Sequence, residues 1–305
     1  MASPDAPGST VTPAPPLRQP NNVRGALLLT LSMLVLTLEA GIIRWVGTEA
    51  NVSQSVFFRS AAQFIVVGCW VAWKGIWPDM RSRRLALHLT RGLLSVSTWW
   101  LYYRMFQKLD VALATVLTFS SSLFVVVLAG PLMGERVRAV SWIATFLGFA
   151  GIAIASGVGT STVSIEVVLG LVASAVSALL VFLNRSLAQT EETVTIMTFI
   201  GLCVFSVALP LAYLNWQPLA MGTIAILMAA GIFGALGMVF SIEAYAVGET
   251  AVLAPIFYVR IAFAMAFGYL VFAEIPSLAT AIGASIVIAS ALWALRVEQQ
   301  RVART

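Results

Sequence analysis

The segment Ala254–Met265 reads APIFYVRIAFAM, with Arg260 in the middle of an apolar run, Tyr258 two residues before it and Pro255 five before. A guanidinium does not shed its charge at physiological pH. Surrounded by apolar side chains, it needs water, dipoles or an anion. The chemistry it offers is bidentate capture of a carboxylate. A backbone carbonyl, a serine or an acid elsewhere in the chain would satisfy it equally.

Other charged and polar side chains lie inside apolar runs. Glu39 and Arg59 form one set. The stretch HLTRGLLSVSTWWLYYRMF, residues 88–106, carries another: His88, Arg91, Ser95, Trp99, Tyr102 and Tyr103 follow helical spacing and share one face. FSSSLF, residues 119–124, adds Ser120, Ser121 and Ser122 as hydrogen-bonding groups. There is one histidine, and the two cysteines, Cys69 and Cys203, read as small packing residues. No metal-ligand spacing, phosphate-cradling glycine loop or nucleophile–base pair is visible, so no cofactor or metal is expected.

The composition says what must position these groups. Of 305 residues, 60% are hydrophobic and 10% are charged, with a mean hydropathy of +0.93. A soluble domain carries about 25% charged residues, so the chain has too few to cover a water-facing surface. A multi-pass membrane protein follows. The net charge of +5 does not point to nucleic acid, because the basic residues cluster in short segments between apolar runs. Residues 1–23 begin with a proline-rich stretch and read as a disordered tail.

Ten apolar runs stand near 24–46, 53–73, 85–107, 110–132, 139–157, 166–187, 193–214, 219–246, 250–273 and 277–296, followed by a short tail over 297–305. A bilayer core takes about 20 residues per helix. With the N-terminus in the cytoplasm, twelve Lys and Arg fall inside and three, Arg44, Arg104 and Lys108, fall outside. The asymmetry predicts both termini inside, in an inner cell membrane.

Sliding the chain by 139 residues sets Asp110 on Glu249, Phe119 on Tyr258, Ser121 on Arg260, Phe124 on Phe263 and Glu135 on Glu274. Two five-helix halves follow, 24–157 and 166–296. Five is odd, so the second half enters the membrane upside down. Inverted repeats are a signature of secondary transporters with a midplane site between the halves. The expected fold is therefore all-α and transmembrane, ten helices in two inverted repeats.

Ten helices in two halves, with LMGERV closing the fourth span and VFAEIP closing the ninth, resemble the drug/metabolite transporter superfamily and its EamA-like branch. The resemblance runs over about 24–296 and extends to YddG-type exporters of aromatic and neutral amino acids. It implies a central cavity and alternating access without ATP.

Charge at mid-membrane costs at least about 2.5–3.5 kcal/mol, so each such residue calls for a role. Glu39 and Arg59 both fall about 10 Å deep from the same side, by helical rise, and are read as a structural ion pair or a coupling site, with Arg91 as a further charged member. Arg260 and Ser121 fall near the midplane. The expected substrate site comprises Arg260, Trp99, Ser95, Ser121, Tyr258, Tyr103 and His88, receiving a small metabolite, amino acids among them. The aromatics have a second reading as an interfacial belt. A polyspecific drug exporter, a channel and a membrane-embedded enzyme are the other classes weighed; bulky aromatics around a lone arginine suit a closed cavity better than a conducting ring.

Overall fold

The computed structural model of the chain describes residues 21–75, 77–78, 82, 84–133, 138–157, 163–187, 190–248 and 250–302. The N-terminal tail through residue 20, the arginines 81, 83 and 136, and the acids Glu135 and Glu249 lie outside the described residues.

Among the described residues the chain is all-helical. In order the helices are α1 (Asn22–Val46), α2 (Val52–Lys74), α3 (Leu85–Phe106), α4 (Val111–Thr118), α5 (Ser120–Met133), α6 (Ala139–Ala155), α7 (Ile165–Leu187), α8 (Thr193–Leu214), α9 (Met221–Val247), α10 (Thr250–Leu253), a 3-10 turn η1 (Ala254–Tyr258), α11 (Val259–Phe272) and α12 (Leu278–Val302). Seven helical spans are long and apolar enough to cross a membrane, α4 and α5 counting together as one. Two shorter apolar spans join them, Ala139–Ala155 and Ile256–Phe272. The remaining long helix, α3, carries His88, Arg91 and Arg104 along its 22 residues. The protein is an integral, multi-pass membrane protein.

Two of the ten runs differ from the expectation of one helix each. The fourth breaks at Phe119, between α4 and α5. The hydroxyls of Thr118, Ser120, Ser121 and Ser122 each donate to the carbonyl three residues earlier, at 2.6–2.8 Å. Such back-bonding competes with the regular ladder and bends helices. The ninth run starts as one turn of α-helix and passes through η1, with a proline in its first turn, before α11. Proline removes a main-chain donor, and the tighter 3-10 winding takes up the defect. The two breaks touch: Phe119 stacks on Tyr258, ring centroids 5.2 Å apart and planes 20° apart.

Local signals set the helix ends. Asn51 and Gln54 form a capping box at the start of α2, and Gly47 and Gly75 take positive φ after α1 and α2. Polar contacts then gather the ends into two sets. At one, Asn21 N–H donates to the Val247 carbonyl at 2.8 Å, and His88 lies beside Glu191. At the other, Gln54 Nε2 donates to the Gln217 carbonyl at 2.8 Å, and Arg44 Nε donates to Glu274 Oε1 at 3.0 Å.

Between the ends, α1 packs on α9, α3 on α7, α6 on α12, and α2 on both α8 and α9. Without a hydrophobic drive between helices in lipid, small residues let backbones approach. Gly151 of α6 and Gly283 of α12 meet this way; a Cβ on Gly151 would lie 2.8 Å from the Gly283 carbonyl oxygen. The outer surface is apolar, with Leu27, Trp73, Phe146 and Leu270 exposed. Cys69, expected inside, is also exposed. The interior instead collects charge, with Arg59 among the largest fully buried side chains.

Candidate functional site

The charged interior begins with α1 and α2. Glu39 and Arg59 are 4% and 2% exposed. Arg59 Nε donates to Glu39 Oε1 at 2.8 Å, and the Tyr103 hydroxyl of α3 donates to the same oxygen at 2.6 Å. Arg59 Nη1 reaches Gln63 Oε1 at 3.4 Å, and Gln63 in turn donates to the Met197 carbonyl of α8 at 3.1 Å. The Arg59 guanidinium also lies over the Trp99 ring, 3.4 Å from its centroid. Among the described residues its Nη2 has no hydrogen-bond partner, and it is sealed from solvent. A buried charge pair is tolerated only when most of its hydrogen-bonding capacity is met, and four helices contribute here.

The helix α9 makes room for this pair. Its run AAGIFGALG puts Gly234 against Glu39: a Cβ at that position would sit 2.5 Å from the carboxylate carbon. The stripe packs α9 against its neighbours and in doing so seats the acid.

Beside the pair lies a cavity of about 240 Å³. Its charged lining is Glu39, Arg59 and Arg260. Its aromatic lining is Trp99, Tyr102, Tyr103, Phe106 and Phe257, and its hydroxyls are Thr118, Ser121 and Ser177. Arg260 stands on α11, just past the η1 turn. Among the described residues its guanidinium makes one long contact, Nη2 to the Leu36 carbonyl at 3.5 Å, and its Nε is buried without a partner. Among the described residues the lining sets one acid, Glu39, against two arginines, Arg59 and Arg260.

The structure brings Arg260, Trp99, Ser121, Tyr103, Glu39 and Arg59 around this one space. It does not bring the other expected residues there. Tyr258 is turned away into the stack on Phe119. Ser95 is buried and donates to the Arg91 carbonyl at 2.8 Å, so its hydroxyl is spent inside its own helix. Arg91 bonds the Asn184 side chain of α7 through Nε. His88 stacks on Phe199 of α8, centroids 4.2 Å apart, and its Nε2 lies 3.8 Å from Glu191. All of them sit on the buried face of α3 or at the break, but that face is long. Only its last two turns reach the cavity, while its first turns are held by α7 and α8. Ser120 and Ser122 do not line the cavity either.

Tyr102 was not in the expected substrate site, yet it lines the cavity. Tyr102 and Tyr103 had a second reading as an interfacial belt; they are 8% and 1% exposed. Tyr102 shares a hydrogen bond of 3.1 Å with Ser174. Ser177 and Phe257 carried no signal, because a lone serine or phenylalanine in an apolar run is ordinary packing material. At one edge a second charged cluster joins three segments. Glu274 accepts from Arg44 Nε with one oxygen and from the Val111 main-chain N–H, at 3.1 Å, with the other; Asp110 stands 3.8 Å from Arg44.

Residues 23–157 match the EamA-like transporter family. An S-adenosylmethionine uptake transporter of Rickettsia felis is 26% identical over 86% of this chain and 88% of its own. A pseudopaline exporter of Pseudomonas aeruginosa is 23% identical over 88% of this chain and 94% of its own. A riboflavin transporter of Vibrio cholerae is 22% identical over 92% and 96% respectively. A crystal structure superposes with a TM-score of 0.62, covering 93% of this chain and 100% of that one at 17% identity, a likeness of fold.

Proposed function

We propose that the chain, whose residues 23–157 match the EamA-like transporter family, is a secondary carrier exporting amino acids, aromatic ones included, with the substrate carboxylate on Arg260. One observation carries this reading. Arg260 lines a cavity inside the helix bundle, next to aromatic rings, and among the described residues its guanidinium makes a single long contact, to a carbonyl. A free guanidinium in low dielectric favours an anion strongly, and a carboxylate matches its fork.

The cavity size supports a small metabolite over a bulky drug. Pockets for drug-sized ligands run from roughly 300 to 1,000 Å³, above the 240 Å³ here. The relatives are named for small metabolites, two of them for opposite directions, uptake and export. A secondary carrier runs either way with the gradient, and export is the direction proposed for this chain.

The inverted-repeat reading belongs to the same proposal. Five positions along the list of ten spans carries the pair α1–α9 onto α7–α3, and carries α6–α12 onto itself. Phe119 and Tyr258, matched by the 139-residue offset, face one another. Both observations suit two halves related by a two-fold axis in the membrane plane, with both termini in the cytoplasm of an inner-membrane protein.

The test is flux in liposomes with purified protein. Phenylalanine should show saturable, counterflow-competent transport, and its carboxyl-amide should compete poorly. Equal handling of acid and amide by the wild-type protein would remove Arg260 from the substrate site. Unsaturable flux would make the protein a channel.

A further inference from the structure

We propose that the cavity recognises a zwitterion, with the substrate ammonium on Glu39 Oε2 while Arg260 takes the carboxylate. The inference rests on the carboxylate assignment above and adds a second, independent half-site.

Glu39 reads at first as one member of a closed ion pair. The geometry is lopsided. Both of its hydrogen bonds, from Arg59 Nε and from the Tyr103 hydroxyl, land on Oε1. Among the described residues Oε2 accepts nothing, and it does not belong to the buried polar atoms sealed off without a partner. An ionised carboxylate offers about four lone-pair sites on its two oxygens, so half of this one is uncommitted. Arg59 and Tyr103 fix the group's orientation and leave Oε2 as the working oxygen.

The surroundings hold the group in place. Gly234 lets the α9 backbone pack against the carboxylate, where a Cβ would fall 2.4 Å from Oε1 and 2.6 Å from Oε2. Glu39 itself lines the cavity. Ammonium is the donor that fits best. It brings three N–H groups and a positive charge, and it needs no deprotonation to bind.

The spacing fits an amino-acid head. Arg260 Nη2 contacts the carbonyl of Leu36, three residues before Glu39 on α1. Residues so spaced are neighbours on one face, with about 5–6 Å between their Cβ atoms. An α-amino acid carries its ammonium nitrogen and carboxylate carbon on one Cα, about 2.5 Å apart by standard bond lengths. One charge-assisted hydrogen bond of about 2.8 Å at each end lets this head span a gap on the scale of a helical turn. A plain carboxylic acid would fill Arg260 and leave Oε2 bare. A plain cation would do the reverse and meet the repulsion of Arg260.

The experiment is competition against labelled phenylalanine in liposomes, using phenylalanine, N-acetylphenylalanine and phenylalanine amide. N-acetylation removes the ammonium and keeps the carboxylate; the amide does the opposite. Wild type should reject both analogues by about tenfold or more, because each leaves a buried charged group unpaired. If N-acetylphenylalanine competes as well as phenylalanine while the amide does not, the Glu39 half-site is wrong and the Arg260 reading stands. If the amide competes as well as phenylalanine, the carboxylate reading falls and the zwitterion with it. Glu39→Leu paired with Arg59→Met removes the ion pair together, a swap that buried pairs tolerate. That variant should lose discrimination against N-acetylphenylalanine and keep it against the amide. Retained discrimination against both would overturn the proposal. Should the variant not express, the wild-type panel decides alone.

Discussion

Arg59 lays its guanidinium on the face of Trp99, 3.4 Å from the ring centroid, while its Nε holds Glu39. Trp99 is therefore both a wall of the cavity and a brace for its ion pair. Trp99→Ala should lower stability by the cation–π contribution, about 0.5–2 kcal/mol, plus lost packing. Trp99→Phe should keep most of it. Thermal unfolding in detergent measures both, and transport by Trp99→Ala should fall more for aromatic than for small amino acids.

Removing half of the pair should be worse than removing all of it. Glu39→Gln leaves Arg59, already carrying one unpartnered Nη2, as a buried charge without a counter-charge. The expected loss is about 3–5 kcal/mol. Glu39→Leu with Arg59→Met should recover most of that in the same unfolding assay. A single mutant as stable as wild type would mean that the pair has no structural weight.

Glycines separate the site from its scaffold. Gly234→Ala would drive a methyl group into the Glu39 carboxylate, and overpacking of this kind costs about 1–3 kcal/mol. Gly222, on the same helix α9, has nothing within 4 Å of an added Cβ. Gly222→Ala should change stability by less than about 0.5 kcal/mol. Comparing the two melting curves tests whether the α9 backbone seats the acid.

Arg260 should be dispensable for folding and needed for transport. Arg260→Ala removes a charge that, among the described residues, makes one long contact, so the protein should still purify as a folded species. Arg260→Lys keeps the charge and loses the fork; its uptake of phenylalanine should fall at least about tenfold, a loss of 1.4 kcal/mol or more in binding. An Arg260→Ala protein that aggregates would show the residue to be part of the scaffold.

Sidedness follows from the twelve-to-three distribution of basic residues. Reporter domains fused after Thr305 should be active only in the cytoplasm. A periplasmic C-terminus together with a cytoplasmic N-terminus would require an odd number of crossings.

The sequence disclosed the fold more fully than the site. Long apolar runs and short polar breaks marked the helices to within a few residues, and the run at 193–214 coincides with α8. Matched depth brought Glu39 and Arg59 together, because rise per residue is fixed in a helix. What stayed hidden is which turns of a buried face meet open space. His88, Arg91 and Trp99 share the face of α3, but α7 and α8 cover its first turns. That depends on neighbours about a hundred residues away, Asn184 and Phe199, about which spacing is silent. The break at Phe119 was also unreadable. Serines in an apolar run offer hydroxyls to a cavity or to their own backbone, and here the backbone takes them.

The flat contact of Phe119 on Tyr258 joins the two places where the helices lose their regular winding. A rod bends most easily where its internal ladder is interrupted, and here two such soft points share one bearing surface. A tilt of α5 against α4 would press one ring on the other and reach η1 and α11 at once. The stack would then act as a knuckle between two rods, with Arg260 only two residues beyond the joint.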